Sequence, residues 1–91
     1  PKVLFLNFDQ SNTEKQLKAL KSLRNKGVKA EVYPDTASSN KQQKKQWKYA
    51  TNRKIEFVIS GIENDKFVVK DMIKGEQSNC SLEELIAKTN S

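Results

Sequence analysis

Residues 3–6 read Val-Leu-Phe-Leu, four apolar side chains in a row within a chain whose residues are 31% charged. Successive side chains of a strand point to opposite faces of a sheet, so an unbroken apolar run needs cover on both sides. Helices supply that cover in α/β architectures. No apolar run approaches the roughly 20 residues that a membrane-spanning helix requires. PKVLFLNF is too short, and too soon followed by Asp9, to read as a signal peptide. The chain has no initiator Met, which leads us to expect a piece of a larger protein. Its 91 residues suffice for one domain, over 1–91, with a single modest core.

The rest of the chain alternates in the way such a strand demands. Ser11-Asn12-Thr13-Glu14 fits a capping box and predicts a helix with Leu17, Leu20 and Leu23 inward. Gly27 is placed to end that helix in a left-handed conformation. Val28, Ala30 and Val32 alternate with polar neighbours as a second strand, which Pro34-Asp35 stops. After a polar loop over Thr36 to Asn40, helical spacing puts Lys41, Lys44, Lys45 and Lys48 on one face and Gln43, Trp47 and Ala50 on another. Ile55 to Ser60 reads as a third strand, Gly61 to Asp65 as a turn, and Lys66 to Met72 as a fourth strand. Lys74-Gly75 makes a tight turn into a short edge strand, Glu76 to Cys80. Ser81-Leu82-Glu83-Glu84 is a second capping box, opening a helix with Leu82, Leu85 and Ile86 inward. The order β-α-β-α-β-β-β-α predicts two right-handed crossovers followed by hairpins. That is a three-layer α/β/α domain around a five-stranded mixed sheet.

The net charge of +6 is confined to one place. Of 17 cations, six (Lys41, Lys44, Lys45, Lys48, Arg53, Lys54) fall between Thr36 and Lys54 with no acid among them, leaving eleven cations to face all 11 acids elsewhere. A local excess of this kind points to a polyanionic partner. The alternative is a merely solvated lysine face. Against that stands the lack of the interleaved Glu that solvated helices use for i,i+4 pairs. The helix also follows the second strand, so its N-terminus falls at the carboxyl edge of the sheet, where ligands of open α/β folds gather. Asn7, Asp9, Gln10 and Ser11 are expected at the same rim.

Enzymatic chemistry finds no support. There is no His, hence no imidazole base or His metal ligand, and neither GxGxxG nor a GxxxxGK[ST] loop occurs. The single Cys80 cannot form an intrachain disulfide, which suits a reducing cytosol, and reads as a small structural residue. Trp47, opposite the lysines, reads as core rather than as a base-stacking surface.

The stretches KKQWKYA (44–50), NRKIEFVISG (52–61), FVVKDM (67–72) and GEQ (75–77) resemble the C-terminal anticodon-binding domain of histidyl-tRNA synthetase, a class IIa aminoacyl-tRNA synthetase. The likeness covers essentially the whole chain, including the turn at Tyr33-Pro34-Asp35. The related domains for Thr, Pro and Gly usually carry an Arg-rich strand in place of VKD and GEQ. The resemblance implies a sheet ordered 2-1-3-4-5 with strand 4 antiparallel. It implies tRNA as partner, through the anticodon stem-loop of tRNA-His, and a cytoplasmic, homodimeric parent ligase. ATP and Mg²⁺ would serve that parent's catalytic core, with no cofactor in this segment. Phosphate contacts, which position but do not specify, fall to Lys41, Lys44, Lys45, Lys48 and Arg53. Base contacts fall to Gln46, Lys70, Asp71, Glu76 and Gln77. Gln46 has the alternative of a local cap or pair, and Asp71 and Glu76 of stabilising a hairpin. The sequence departs from the family at Lys54, where Gly is common, in a shortened Gly61–Asp65 turn and in an extended 34–44 loop. Two other roles remain open at this level: a non-catalytic tRNA-sensing or nucleic-acid-binding relative of the same fold, and a dimerisation module with a solvated basic helix.

Overall fold

The apolar run at the N-terminus is covered on both faces. A computed structural model describes residues 2–90, so Pro1 and Ser91 of the expected domain lie outside the described residues. The elements are β1 (Val3–Phe5), a 3-10 turn (Gln10–Asn12), α1 (Thr13–Asn25), β2 (Ala30–Val32), α2 (Asn40–Asn52), β3 (Phe57–Glu63), β4 (Lys66–Asp71), β5 (Glu76–Cys80) and α3 (Leu82–Thr89). The sheet runs β2-β1-β3-β4-β5. β1 is parallel to β2 and β3, while β4 is antiparallel to β3 and β5, as expected.

Alternation along β1 divides the core. Val3 and Phe5 join a cluster with Leu20 and Leu23 of α1 and Leu85 of α3; Leu4 and Leu6 join a second with Ala50 of α2, Ile55 and Val58. All four residues of the run are 0% exposed. Phe5 meets the Phe67 ring edge-on at 6.2 Å, linking β1 to β4 across the central β3. Cys80 is buried in the same cluster.

Three local expectations are corrected. The Ser11 capping box does not form, because the Asp9 carboxylate intercepts Ser11 first, accepting from its N–H at 2.9 Å and its hydroxyl at 2.8 Å. An Asp that bonds two residues ahead competes with helix start, and here it caps a 3-10 turn before α1. Those bonds, the hydroxyl's foremost, hold the Asp9 carboxyl below its ordinary pKa. On α1 the inward set is Gln16, Ala19, Leu20 and Leu23, while Leu17 is 52% exposed. Gln16 inside is held by its Nε2, which donates to the Leu6 carbonyl at 3.0 Å, at the end of β1, while its buried Oε1 has no hydrogen-bond partner among the described residues. β3 runs through the expected turn to Glu63, with a register shift between Ile59 and Gly61. The turn is only Asn64-Asp65, both at positive φ (50° and 63°), as a two-residue hairpin of matching twist requires.

The Ser81 box forms fully, with Ser81 N–H donating to Glu84 Oε1 at 3.0 Å and Glu84 N–H to Ser81 Oγ at 3.2 Å. Both crossover helices end alike. After α1, the Gly27 N–H reaches the Arg24 carbonyl and the Val28 N–H the Leu23 carbonyl; after α2, Lys54 and Ile55 repeat this on Thr51 and Ala50. These are Schellman motifs. The left-handed residue is Gly27 at φ 82° in the first and Lys54 at φ 55° in the second.

A side chain with a Cβ is strained in that conformation by about 1 kcal/mol, partly offset by the greater unfolded-state freedom of Gly. Lys54→Gly is therefore expected to stabilise the domain by about 0.5–1 kcal/mol. Urea unfolding checks this through a raised midpoint at unchanged slope.

Candidate nucleic-acid interface

The orientation of α2 is fixed before its lysines enter the account. Ser39 caps the helix, its hydroxyl accepting from the Gln42 N–H at 3.3 Å, while Gln42 Oε1 accepts from the Ser38 N–H at 2.6 Å. One turn on, Gln46 is 1% exposed. Its Oε1 accepts from the Asn7 N–H at 2.7 Å, and its Nε2 donates to the Asn7 carbonyl at 3.1 Å and the Asp35 carbonyl at 3.0 Å. With Gln46 and Ala50 turned inward, Lys41, Lys44, Lys45 and Lys48 are all exposed. Among the described residues none of these four lysines forms an ion pair. The positive face is real, and it is uncompensated.

The flanks of α2 differ. On the β2 side Tyr49 meets Tyr33 edge-on at 5.3 Å. Arg53 lies 5.1 Å from the Tyr49 ring centre and donates to its hydroxyl at 3.1 Å, a bond that raises the guanidinium pKa. On the β4 side the partly buried Trp47 closes the second cluster, and the Lys70 ammonium stands over its ring at 5.6 Å. Lys70 pairs across the sheet with Val58 on β3 and Gln77 on β5. Directly opposed residues share a face, so Lys70 and Gln77 lie on the α2 side, beside Trp47. Asn79, two residues after Gln77, shares that face.

Register separates the other candidates from this group. Asp71 and Glu76 oppose each other, in line with Phe57 of the α1–α3 cluster, and therefore belong to the opposite face. The Asp71 carboxylate accepts from the Ile73 and Lys74 N–H groups, both at 3.0 Å, and so organises the turn before β5. The hairpin alternative for Asp71 is the observed one. The Gln46 amide is engaged with backbone inside the protein. The rim after β1 is likewise committed: Asn7 is buried and donates to the Tyr33 carbonyl at 3.1 Å, and Asp9 holds Ser11.

No protein-family profile matches the chain. Individual relatives do. A histidine–tRNA ligase of Christiangramia forsetii is 43% identical over 82 residues, covering 86% of this chain and 17% of its own length. That of Phocaeicola vulgatus is 38% identical over 89 residues, 93% of this chain and 19% of its own. The chain is homologous to one segment of the histidine–tRNA ligases. It spans less than a fifth of these curated relatives, a domain's share of a longer ligase. Apo Staphylococcus aureus histidyl-tRNA synthetase superposes with a TM-score of 0.74 at 26% identity, over 99% of this chain and 23% of that one. The same fold recurs at 16% identity and TM-score 0.80 in the RNA binding domain of Cryptosporidium parvum threonyl-tRNA synthetase, over 97% of this chain and 22% of that one.

The candidates sort into three places. Lys41, Lys44, Lys45 and Lys48 make the outer face of α2, Lys70 and Gln77 the open sheet face next to it, and Arg53 the far flank. Sequence reading missed Asn79, although its period-2 spacing from Gln77 was there to read. It also missed the Tyr33–Tyr49–Arg53 stack, in which Tyr49 and Arg53 have readable i,i+4 spacing but Tyr33 joins from beyond the helix without a local signal.

If Gln46 sets the helix orientation, Gln46→Ala strands the Asn7 N–H and the Asp35 carbonyl, while the Asn7 carbonyl keeps its bond from the Ala37 N–H at 2.8 Å. A loss of about 2–4 kcal/mol is expected at one to three kcal/mol per stranded group with partial rescue by water. Lys44→Gln should change stability by less than about 0.5 kcal/mol. Equilibrium denaturation of the two variants makes the comparison.

Proposed function

We propose that the chain is the anticodon-binding domain of a histidine–tRNA ligase and that it engages the anticodon stem-loop of tRNA-His. The observation that carries the reading is the unpaired lysine face of α2, abutting an open sheet surface that bears Lys70 and Gln77. In this reading the lysines hold phosphates and the sheet residues meet base edges, a division of labour common to nucleic-acid interfaces. The aminoacylation chemistry, with its ATP and Mg²⁺, is assigned to the remainder of such a ligase, and a cytosolic, homodimeric parent accompanies that assignment.

Phosphate neutralisation has a measurable signature. If about three phosphates are held, log K falls against log salt with a slope of about −2, given roughly −0.7 per contact for single strands. Changing Lys44, Lys45 and Lys48 together to Gln is expected to flatten that slope while leaving the circular dichroism spectrum intact, since all three are exposed. Titration of a labelled stem-loop at several salt concentrations reads this, and an unchanged slope counts against the assignment of the basic face.

Base reading has a different signature. A histidine anticodon, GUG, presents guanine O6 and N7 as acceptors and N1–H and N2–H₂ as donors. The Lys70 ammonium suits the former and the Gln77 amide oxygen the latter, and the two are cross-strand neighbours. A matched polar contact is worth about 1–3 kcal/mol of discrimination, by analogy with direct readout in DNA. Competition between GUG and scrambled loops should therefore favour GUG, and Gln77→Ala should narrow the preference. Lysine changes on α2 should weaken both loops alike. Equal affinity of the wild-type chain for the two loops would reduce the interface to a nonspecific basic surface.

A further inference from the structure

The Trp47 ring is in an unusual position for a core residue. It is only partly buried, at the edge of the second cluster where α2 gives way to open sheet. One turn to either side on α2 stand Gln43 and Lys44, and Ala50 and Thr51, so that of these four only Ala50 is apolar and backs the cluster. Over the ring stands the Lys70 ammonium at 5.6 Å, on a flexible four-carbon stem that is readily displaced. Beside Lys70 on the sheet is Gln77. An indole backed by an apolar cluster, topped by a mobile cation and rimmed by an amide and lysines matches the chemistry that receives an unstacked nucleobase. A fully buried tryptophan offers no such surface, and a leucine at this position would close the cluster equally well.

We infer that Trp47 is a stacking platform for one unpaired base of the bound RNA loop, with Lys70 sliding off the ring to meet that base's edge or its phosphate. The inference rests on the anticodon-loop reading above and adds to it a residue and a mode of contact. It also gives Lys70 a second task in the free chain, where the cation shields the exposed indole from water and from other molecules.

Trp47 is the only tryptophan of the chain, so its emission reports on this contact without labelling. The experiment titrates the 91-residue chain with a fluorescein-labelled GUG stem-loop, following RNA anisotropy and Trp47 emission together, and repeats it with an abasic site at each loop position in turn. The expected result is quenching that saturates along the anisotropy curve. One abasic position should remove the quenching and lower affinity by roughly 5- to 150-fold, the range of one stacked base. Trp47→Leu, which keeps apolar bulk, should lose affinity by a similar factor and become indifferent to that abasic site. Should this variant misfold, the wild-type quenching and abasic scan decide alone. Binding by anisotropy with Trp47 emission unchanged, or quenching equally strong at every abasic position, overturns the inference and leaves the anticodon reading standing. Absence of binding by anisotropy overturns both.

Discussion

The Gln46 side chain enters the protein between the end of β1 and the loop after β2, and its amide bonds there to both backbone groups of Asn7 and to the Asp35 carbonyl. A polar side chain so deeply placed is tolerated only when its hydrogen bonds are made, and making them admits one rotation of the helix about its axis. Rotation by one residue in one sense would bring Trp47 under the helix, and in the other sense would swing Lys45 toward the sheet. The exposure of Lys41, Lys44, Lys45 and Lys48 as one face thus follows from a residue that itself faces inward. The same amide ties α2 to the carboxyl edge of the sheet, so the position of the basic face relative to β4 and β5 is inherited from it.

The sheet supplies the other half of the geometry through an imbalance between its layers. α1 and α3 cover one face, reaching out to Phe67, Val69 and Cys80 on β4 and β5. A single helix, α2, covers the other, over Leu4, Leu6 and Val58. β4 and β5 therefore turn Phe67, Val69 and Cys80 toward α1 and α3, with Asp71 and Glu76 at the end of that face, while on the uncovered side Lys70 opposes Gln77. Half-covered antiparallel strands show this alternation generally. Here it places polar side chains next to a lysine-rich helix without any insertion or specialised loop.

How much of this was legible in sequence depends on the range of the interaction that decides each feature. Val3 to Leu6, the alternation over 28–32 and the Ser81 box carry their cause within a few residues, and the final helix followed from them, whereas the sheet order was implied by the family resemblance. The Ser11 box failed at the same range because Asp9, two residues earlier, offered Ser11 a competing acceptor. Leu17 and Gln16 exchanged expected places for a longer-range reason: the Leu6 carbonyl makes a buried amide acceptable where apolar periodicity favoured leucine. The Gln46 amide likewise has its partners 39 and 11 residues away, beyond the reach of a local pattern. For the candidate site, the identity of the lysine face was readable from i, i+3, i+4 spacing. The division of Lys70 and Gln77 from Asp71 and Glu76 required strand register, which no local pattern states.

Local preference and tertiary demand disagree along α2. Lys41 with Lys45 and Lys44 with Lys48 are like charges at i,i+4, each pair unfavourable by a few tenths of a kcal/mol, and the first turn holds no acid to meet the helix dipole. The helix ends on a lysine in a conformation that favours glycine. What holds it is the Ser39 cap, the buried Gln46 and Ala50, and the Schellman closure. Sites where sequence contradicts local rules and the fold compensates are those where function is to be sought. The same charges act with opposite sign in the two states. In the free chain their mutual repulsion opposes the helix and is relieved as salt shortens the screening length below about 10 Å. Against a polyanion they are attracted, and added salt removes that advantage by diminishing the gain from counterion release. Salt that steadies the empty domain therefore weakens its hold on RNA, and an ordinary solvated face of balanced charge would show neither effect.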